Sequence, residues 1–573
     1  MYWQDELKIA SLLRLCLLLV CLYSTHANGQ SLSDRGLNCS QRLPAADESY
    51  PFLRQTPLTE SPDTALDIQS IEFSRLRIFD ENNPEENNWL FRWANRLHIL
   101  TRENVIDRLL LFEEGDQVEG HTLEETARIL RAQNYFFDAD LRLVSRCDER
   151  VAVEVITKDT WSLTPNLSFD RSGGENTFTV GISDSNLLGL GKQLAIERGE
   201  DLDRVSEEIA YTDPNVFGTW VRNQTVVTDS DDGSRQLFDL ALPFYRLDSR
   251  RSWGVKLENQ SRIDAQFFLG EEVTEVEHDI EIGELSYGWS RGLIDGRYSR
   301  WSAGISYRRD RFASGPDLPP PTLFPVDREL SYPFLQLELG EDRFVTAFNL
   351  DEILRTEDLY LGYNLKTRIG YAAESMGSDQ NRIVLEGSFS DTLHYDSRQL
   401  WQHSFTWSAL LNQDSGHSED VVLGYNTRYF FRQSDRWSFS AQMRGSYTNN
   451  LSRERALFMG GESGVRAFDN RLQSGSRNLV ISLEERLYTD LHVFNLIRVG
   501  AAIFTDVGRA WTPGQPSGLD DPWLANIGLG LRLMSSKAAS SRIAHIDFAF
   551  PVTNRNHPAV DSVQIAINVK SRF

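Results

Sequence analysis

The stretch Ser562–Phe573, SVQIAINVKSRF, alternates from end to end. Val563, Ile565, Ile567, Val569, Ser571 and Phe573 fall on one face. Ser562, Gln564, Ala566, Asn568, Lys570 and Arg572 fall on the other. Side chains that alternate with a period of two belong to a β-strand, because successive Cβ atoms point to opposite sides of the pleat. One face of this strand is apolar and the other is polar. The strand therefore separates an oily environment from a wet one.

The same period runs back through the chain to about residue 162. In Trp437–Thr448 the apolar face is Trp437, Phe439, Ala441, Met443, Gly445 and Tyr447, and Ser438, Ser440, Gln442, Arg444, Ser446 and Thr448 oppose it. In Asn526–Leu533, the residues Ile527, Leu529, Leu531 and Leu533 oppose Asn526, Gly528, Gly530 and Arg532. Leu359–Tyr371 reads as another such strand. Clusters of Gly, Asp, Asn, Ser and Pro punctuate these stretches as turns.

A soluble sandwich would also alternate, but sandwiches split into domains well below ~400 residues. Here one pattern continues without interruption, with aromatics near strand ends and Lys, Arg, Asn and Gln on the opposite face. A transmembrane β-barrel needs that arrangement, since only alternate residues face lipid. Closure is required because an unpaired strand edge in lipid would cost several kcal/mol per group. The expectation is an all-β antiparallel barrel over residues 162–573. After Ile9–Tyr23 no apolar run approaches the ~20 residues of a spanning helix.

The segments before the barrel differ. Residues 1–29 read as a secretory signal peptide, with an apolar run ahead of Thr25-His26-Ala27. Residues 30–65, rich in Ser, Pro, Asp and Gln, read as a linker or N-terminal arm. Residues 66–160 read as a small α+β domain of order β-α-α-β-β. Its strands are Leu66–Ile78, Phe136–Val144 and Arg150–Lys158. Thr101 is expected to cap a helix bearing Val105, Ile106, Leu109 and Leu110, and Thr122 with Glu125 to form a capping box on the next. Cys39 and Cys147 follow the signal peptide. An oxidising compartment would allow them to pair, and sequence spacing leaves that open.

The formal charge of −24 argues against nucleic acid as a partner. The sequence holds no G-x-S-x-G, no H-E-x-x-H and no glycine-rich phosphate loop. No enzymatic activity, cofactor or metal is expected.

Met459–Gly475, MGGESGVRAFDNRLQSG, is too polar and glycine-rich for a strand. Its Val465-Arg466-Ala467-Phe468 resembles the V-R-G-F/Y loop motif of the bacterial surface antigen superfamily, the BamA–TamA outer-membrane assembly proteins, with Ala467 in the usual glycine position. Ser482-Leu483-Glu484 resembles that family's S-x-E strand. Phe504-Thr505-Asp506-Val507-Gly508 resembles its F-x-D-x-G strand. The alternation at Ile565, Ile567, Val569 and Phe573 resembles the C-terminal sorting signal of outer-membrane barrels.

The resemblance implies a loop folded into the lumen, with Arg466 paired to Glu484 and Asp506 on the wall. It implies about sixteen strands, eleven before the loop and five after. The residues themselves give five candidates after it and about fifteen before it, so some of the latter must be loop hairpins or halves of long strands, or the barrel is larger than sixteen. It also implies that residues 66–160 form one POTRA-like periplasmic domain, that the barrel sits in the Gram-negative outer membrane as a single chain, and that unfolded or secreted client proteins are its partners. The expected function is assistance to protein insertion or translocation at the outer membrane. The alternative is a diffusion pore or a structural surface antigen.

Overall fold

The computed structural model describes residues 65–570, except 85, 148–149, 349–355, 397, 435, 494–496 and 536–542. The expected signal peptide, the arm, Cys39 and Phe573 lie outside those residues, as do the side chains of Cys147 and Val569.

The N-terminal domain is a mixed sheet of order β2-β1-β4-β3, with helices packed on it. Its strands are β1 (Leu66–Leu76), β2 (Gln117–Val118), β3 (Phe136–Cys147) and β4 (Arg150–Asp159). β1 runs parallel to β4, and β3 antiparallel to it. β4 is central and buried on both faces, which suits its run Val151, Val153, Val155 and Ile156. Leu66, Ile106, Leu123, Leu130 and Val153 close the core.

The helices depart from expectation in three ways. α1 (Trp89–Leu97) was not anticipated. Asn88 caps it by accepting a 2.9 Å bond from the Phe91 amide. α2 is only Glu103–Asp107, and Arg102, not Thr101, occupies its cap position. α3 (Gly120–Arg131) starts two residues before Thr122, so Thr122 and Glu125 lie inside the helix and form no capping box. The cause is tertiary. The Glu125 carboxylate accepts a 2.6 Å bond from the Leu247 amide of the barrel. The Thr101 hydroxyl donates to Asp159 at 3.0 Å and accepts from Asn186 of the barrel at 2.8 Å.

The rest of the described chain forms one closed antiparallel barrel of 20 strands, from Leu163–Ser172 to Gln564–Lys570. The expected sixteen is therefore corrected upward. Ten strands precede Phe344, five follow it before the loop, and five follow the loop. The surplus of candidates before the loop is therefore mostly wall strands, and the number implied by the resemblance was too low. Leu359–Tyr371 is also corrected. It is split between a hairpin off the barrel wall, Phe344–Phe348 with Thr356–Tyr360, and the barrel strand Asn364–Ala372. Here the Tyr360 hydroxyl donates to the Tyr363 carbonyl at 2.7 Å and ends the extended run.

The barrel is inside-out relative to a soluble protein. Ile527 and Leu529 are more than half exposed on the outer face, while Asn526, just before them on the same strand, is fully buried inward. On the last strand Ile565 faces out, and Gln564 and Ala566 are buried. Barrels of 16–18 strands already enclose an aqueous channel, so wall side chains alone do not fill one of 20.

The N-terminal domain grips one rim of this barrel. The Arg102 amide donates to the Gly189 carbonyl at 3.0 Å. Farther round, Arg131 makes a bidentate pair with Asp358, both contacts at 2.7 Å, and Thr356 donates to Asp138 at 2.8 Å. The Arg128 guanidinium lies 4.2 Å from the Phe344 ring centre. The domain thus spans from the first turn of the barrel to the hairpin Phe344–Tyr360.

A candidate functional site on the lumen loop

Residues 450–476 connect the strands Trp437–Asn449 and Arg477–Val493. This connection does not project away from the barrel; it packs against the inner wall. Val465, Ala467 and Phe468 are fully buried and share a cluster with Met459, Leu472, Phe504 and Ala549. Ala467 fits without exposure despite standing where the related motif has glycine.

The wall is built to receive this loop. Phe504, Asp506 and Gly508 are spaced by two and therefore share the inward face of Ile497–Trp511. A Cβ on Gly508 would come within 2.7 Å of the Val465 side chain and 2.8 Å of the Met459 sulfur, so its bare backbone makes room for the loop. Phe504 forms the floor under Arg466, whose guanidinium carbon is 3.3 Å from the ring centre. Asp506 takes Arg466 in a forked pair, with Nε–Oδ2 and Nη2–Oδ1 both 2.9 Å. The same carboxylate accepts from Asn526 at 2.9 Å.

Glu484 lies on the neighbouring strand, where Ser482 stands opposite Asp506. It contacts Arg466 Nη1 at 3.2 Å, which fulfils the expected pairing. Three further partners were missed. Asp547 meets Arg466 Nη1 at 2.9 Å. Arg532 binds both Asp547 and Glu484, at 2.5 and 3.1 Å. Arg486 binds Glu484 at 2.9 Å. Three guanidiniums thus face three carboxylates. That balance matters, because a lone buried charge is expensive whereas opposite charges paired in equal number offset one another. A signal for Asp547 was present. In Ile543–Pro551 the residues Ile546, Phe548 and Phe550 alternate with His545, Asp547 and Ala549, which places a carboxylate on the wet face.

The loop also touches both sides of the barrel closure. Among the described residues the last strand, Gln564–Lys570, meets the first at one register pair, Ile567 with Arg171. The first strand and the second make ten such pairs. Beside this short join, Asn470 donates to the Ser172 carbonyl at 2.7 Å and to Glu175 at 2.9 Å. Its neighbour Asp469 accepts from Gln564 of the last strand at 2.7 Å. Gly461 and Gly173 approach so closely that a Cβ on Gly461 would lie 2.6 Å from the Gly173 nitrogen. The arrangement pins the connection to six wall strands and bridges the closure.

Solved structures similar to this chain include BamA from Haemophilus ducreyi lacking POTRA domains 1–3, at 12% identity over 87% of this chain and 85% of that one, with a TM-score of 0.40. CdiB from Acinetobacter baumannii gives 12% identity over 98% and 97%, with a TM-score of 0.44. CdiB from Escherichia coli gives 13% identity over 91% and 94%, with a TM-score of 0.35. The comparison with curated proteins gives no match. A family model described as haemolysin secretion/activation protein ShlB/FhaC/HecB matches residues 375–533. That stretch contains the loop, Arg466, Glu484 and Asp506, so it is in its loop-bearing segment that the chain is similar to the haemolysin secretion/activation proteins.

Proposed function

We propose that this chain is an outer-membrane barrel that helps client proteins insert into or cross the Gram-negative outer membrane. The observation that carries this reading is the closure. Among the described residues its two edges share one register pair, and the inner loop is hydrogen-bonded to both edges; a seam held in part by a loop is a place where the wall can open. Each backbone pair left out of a sheet forfeits hydrogen bonds that lipid cannot replace. A client strand can supply those bonds.

The domain at residues 66–159 fits a periplasmic receiving role of the POTRA kind. Among the described residues β3 pairs on one side only, with β4. Its pairing shifts register near both ends, at Phe136/Asp138 and Leu143/Ser145. Between those irregularities the Ala139 and Leu141 amides donate to the Asp138 and Asp140 side chains and the Ala139 carbonyl accepts from Arg131, so an added client strand would take the edge by displacing these side chains. Bulges near its ends blunt the edge against indiscriminate pairing.

The test is a cross-linked closure. Arg171→Cys with Ile567→Cys places two thiols at directly opposed positions, within reach of a disulfide. Cells relying on the oxidised variant should show the same loss of client proteins from the cell surface as cells lacking the protein. Reduction should restore the clients. If surface profiles are unchanged both in the deletion and in the cross-linked strain, the reading is wrong. The size of the lumen favours a second reading, a diffusion pore. A large, steady conductance in planar bilayers that persists with the closure cross-linked would support it.

A further inference from the structure

Helix α1 has two apolar arcs, and the protein covers only one. Phe91 and Asn95 face inward, and Phe91 stacks on Phe79 with ring centres 4.1 Å apart. Trp161, two residues before the outward-facing Leu163, joins this cluster. The other arc carries Trp89, Trp93 and Leu97 at i, i+4 and i+8, with Leu90 beside them. All four are exposed, Trp89 at 73%. Exposed apolar surface of that size on a helix nine residues long calls for a partner.

A second observation lies on the adjoining rim. The first two turns on this side repeat one pattern, Asp184-Ser185-Asn186-Leu187-Leu188-Gly189 and Asp213-Pro214-Asn215-Val216-Phe217-Gly218. In each, the Asp side chain accepts from the Asn amide, at 2.9 and 3.0 Å. In each, the residue before glycine is forced to a positive φ, 55° at Leu188 and 53° at Phe217. A left-handed conformation is costly for such side chains. Yet both are presented outward, and Phe217 is 100% exposed. The chain spends conformational strain to hold apolar groups clear of the protein. Ile99, just past α1, packs 3.2 Å from where a Gly189 side chain would start, so the exposed surface of α1 continues into the first turn.

We propose that α1, with Leu188 and Phe217, seats in the periplasmic leaflet of the membrane as an interfacial anchor beside the barrel closure, with anionic phospholipid as its partner. The inference rests on the barrel lying in a bilayer. The apolar surface is continuous with the outward wall at Leu163 and Leu167. Its polar border supplies the headgroup contacts. Arg92 and Arg96 are exposed next to the apolar arc, and the helix carries no acidic residue, in a chain of net charge −24. An amphipathic helix with aromatics on one side and arginines on the other lies in the interface plane. Here it would fix the N-terminal domain against the leaflet at the side of the barrel where the wall closes.

The test uses the full chain, with its native cysteines replaced by serine, in phosphatidylethanolamine–phosphatidylglycerol vesicles. Single spin labels are placed by Trp93→Cys, by Asn82→Cys in the polar segment before the helix, and by Leu529→Cys on the outer wall. Oxygen should relax the label at position 93 several-fold more than a water-soluble nickel chelate does. Position 82 should show the reverse. Position 529 reports the barrel independently. If 529 is lipid-exposed and 93 matches 82, the anchor is overturned while the barrel stands. If 529 is itself water-exposed, the membrane reading fails. Protection of position 93 only after an unfolded protein is added would assign this surface to clients and overturn the lipid assignment. The oxygen preference at 93 should weaken in pure phosphatidylcholine and in Arg92→Gln/Arg96→Gln. Identical readings in all of these would overturn the anionic headgroup.

Discussion

At the scale of single residues, Arg466 decides how firmly the loop is held. It reaches Asp506, Glu484 and Asp547 at once and covers the Phe504 ring. Asp506 and Asp547 are almost wholly buried, so truncating the arginine leaves their charges short of a partner. Removing one member of such a set typically costs ~3–5 kcal/mol. Arg466→Ala should therefore release the loop. Protease should cut within 450–476 in the folded variant and not in the parent. The heat-induced shift in electrophoretic mobility that marks barrel unfolding should move to lower temperature. Arg466→Lys should fall between, because a point charge cannot fork onto Asp506. A loop as resistant in Arg466→Ala as in the parent would show that the arginine does not hold it. Much of this site was legible in the sequence. Arg466 sits in a loop motif, and Glu484 and Asp506 sit in strand motifs whose spacing of two turns them to the wet face. Arg486, Arg532 and Asp547 carry the same alternation but no motif. What joins them to the site is the register of four neighbouring strands, which a single sequence does not display.

At the scale of elements, the errors cluster where one element borrows its partner from another. Thr122-x-x-Glu125 has the pattern of a capping box, yet Glu125 is spent on the Leu247 amide across the rim. Leu359–Tyr371 alternates like one strand, yet Leu361 turns inward to pack with Leu400 and Phe430. Local pattern decides an element only when no distant group competes. The same borrowing predicts a pH response in β3. Burial pushes the Asp138 carboxyl up to about 7; Arg131 and the donors from Thr356 and Ala139 pull it down less strongly, and Asp140 adds a further upward push. An unfolded aspartate titrates near ~3.9. The folded domain therefore holds this proton more tightly than the unfolded chain does. The resulting stability is complete below ~4 and is lost as pH rises toward the folded value. Amide protection in β3 and in Thr356–Tyr360, corrected for intrinsic exchange, should fall across that window. Asp138→Asn should flatten the slope. A slope that survives the substitution would place its origin elsewhere.

At the scale of the whole molecule, the alternation along the chain specified a barrel but not its strand number: about sixteen was expected and 20 are observed, so most of the surplus candidates before the loop are wall strands, not hairpins. What sequence could not convey is how so wide a lumen is managed. The loop fills part of it from within. The N-terminal domain fastens to the rim from outside, from Gly189 on one side to Asp358 on the other. The Arg131–Asp358 fork is the far end of that grip, and both side chains are largely shielded from water. A forked, shielded pair resists separation far more than an exposed one. Reversing one charge turns the attraction into repulsion at the same spot, so Arg131→Glu should swing the domain off the hairpin Phe344–Tyr360 while leaving it tethered at Thr101 and Arg102. Hydrogen exchange should accelerate in the hairpin and in α3 but not in the loop 450–476. Conductance through the full chain in planar bilayers should rise, because the rim is then less obstructed. Adding Asp358→Arg should restore a pair of opposite charges and recover most of the lost protection, short of the bond that Arg131 also donates to the Ala139 carbonyl. Rescue of this kind separates a specific clasp from general damage to the domain. A double variant no better protected than Arg131→Glu alone would mean that the domain is held by its first contacts with the barrel and that the far clasp adds nothing.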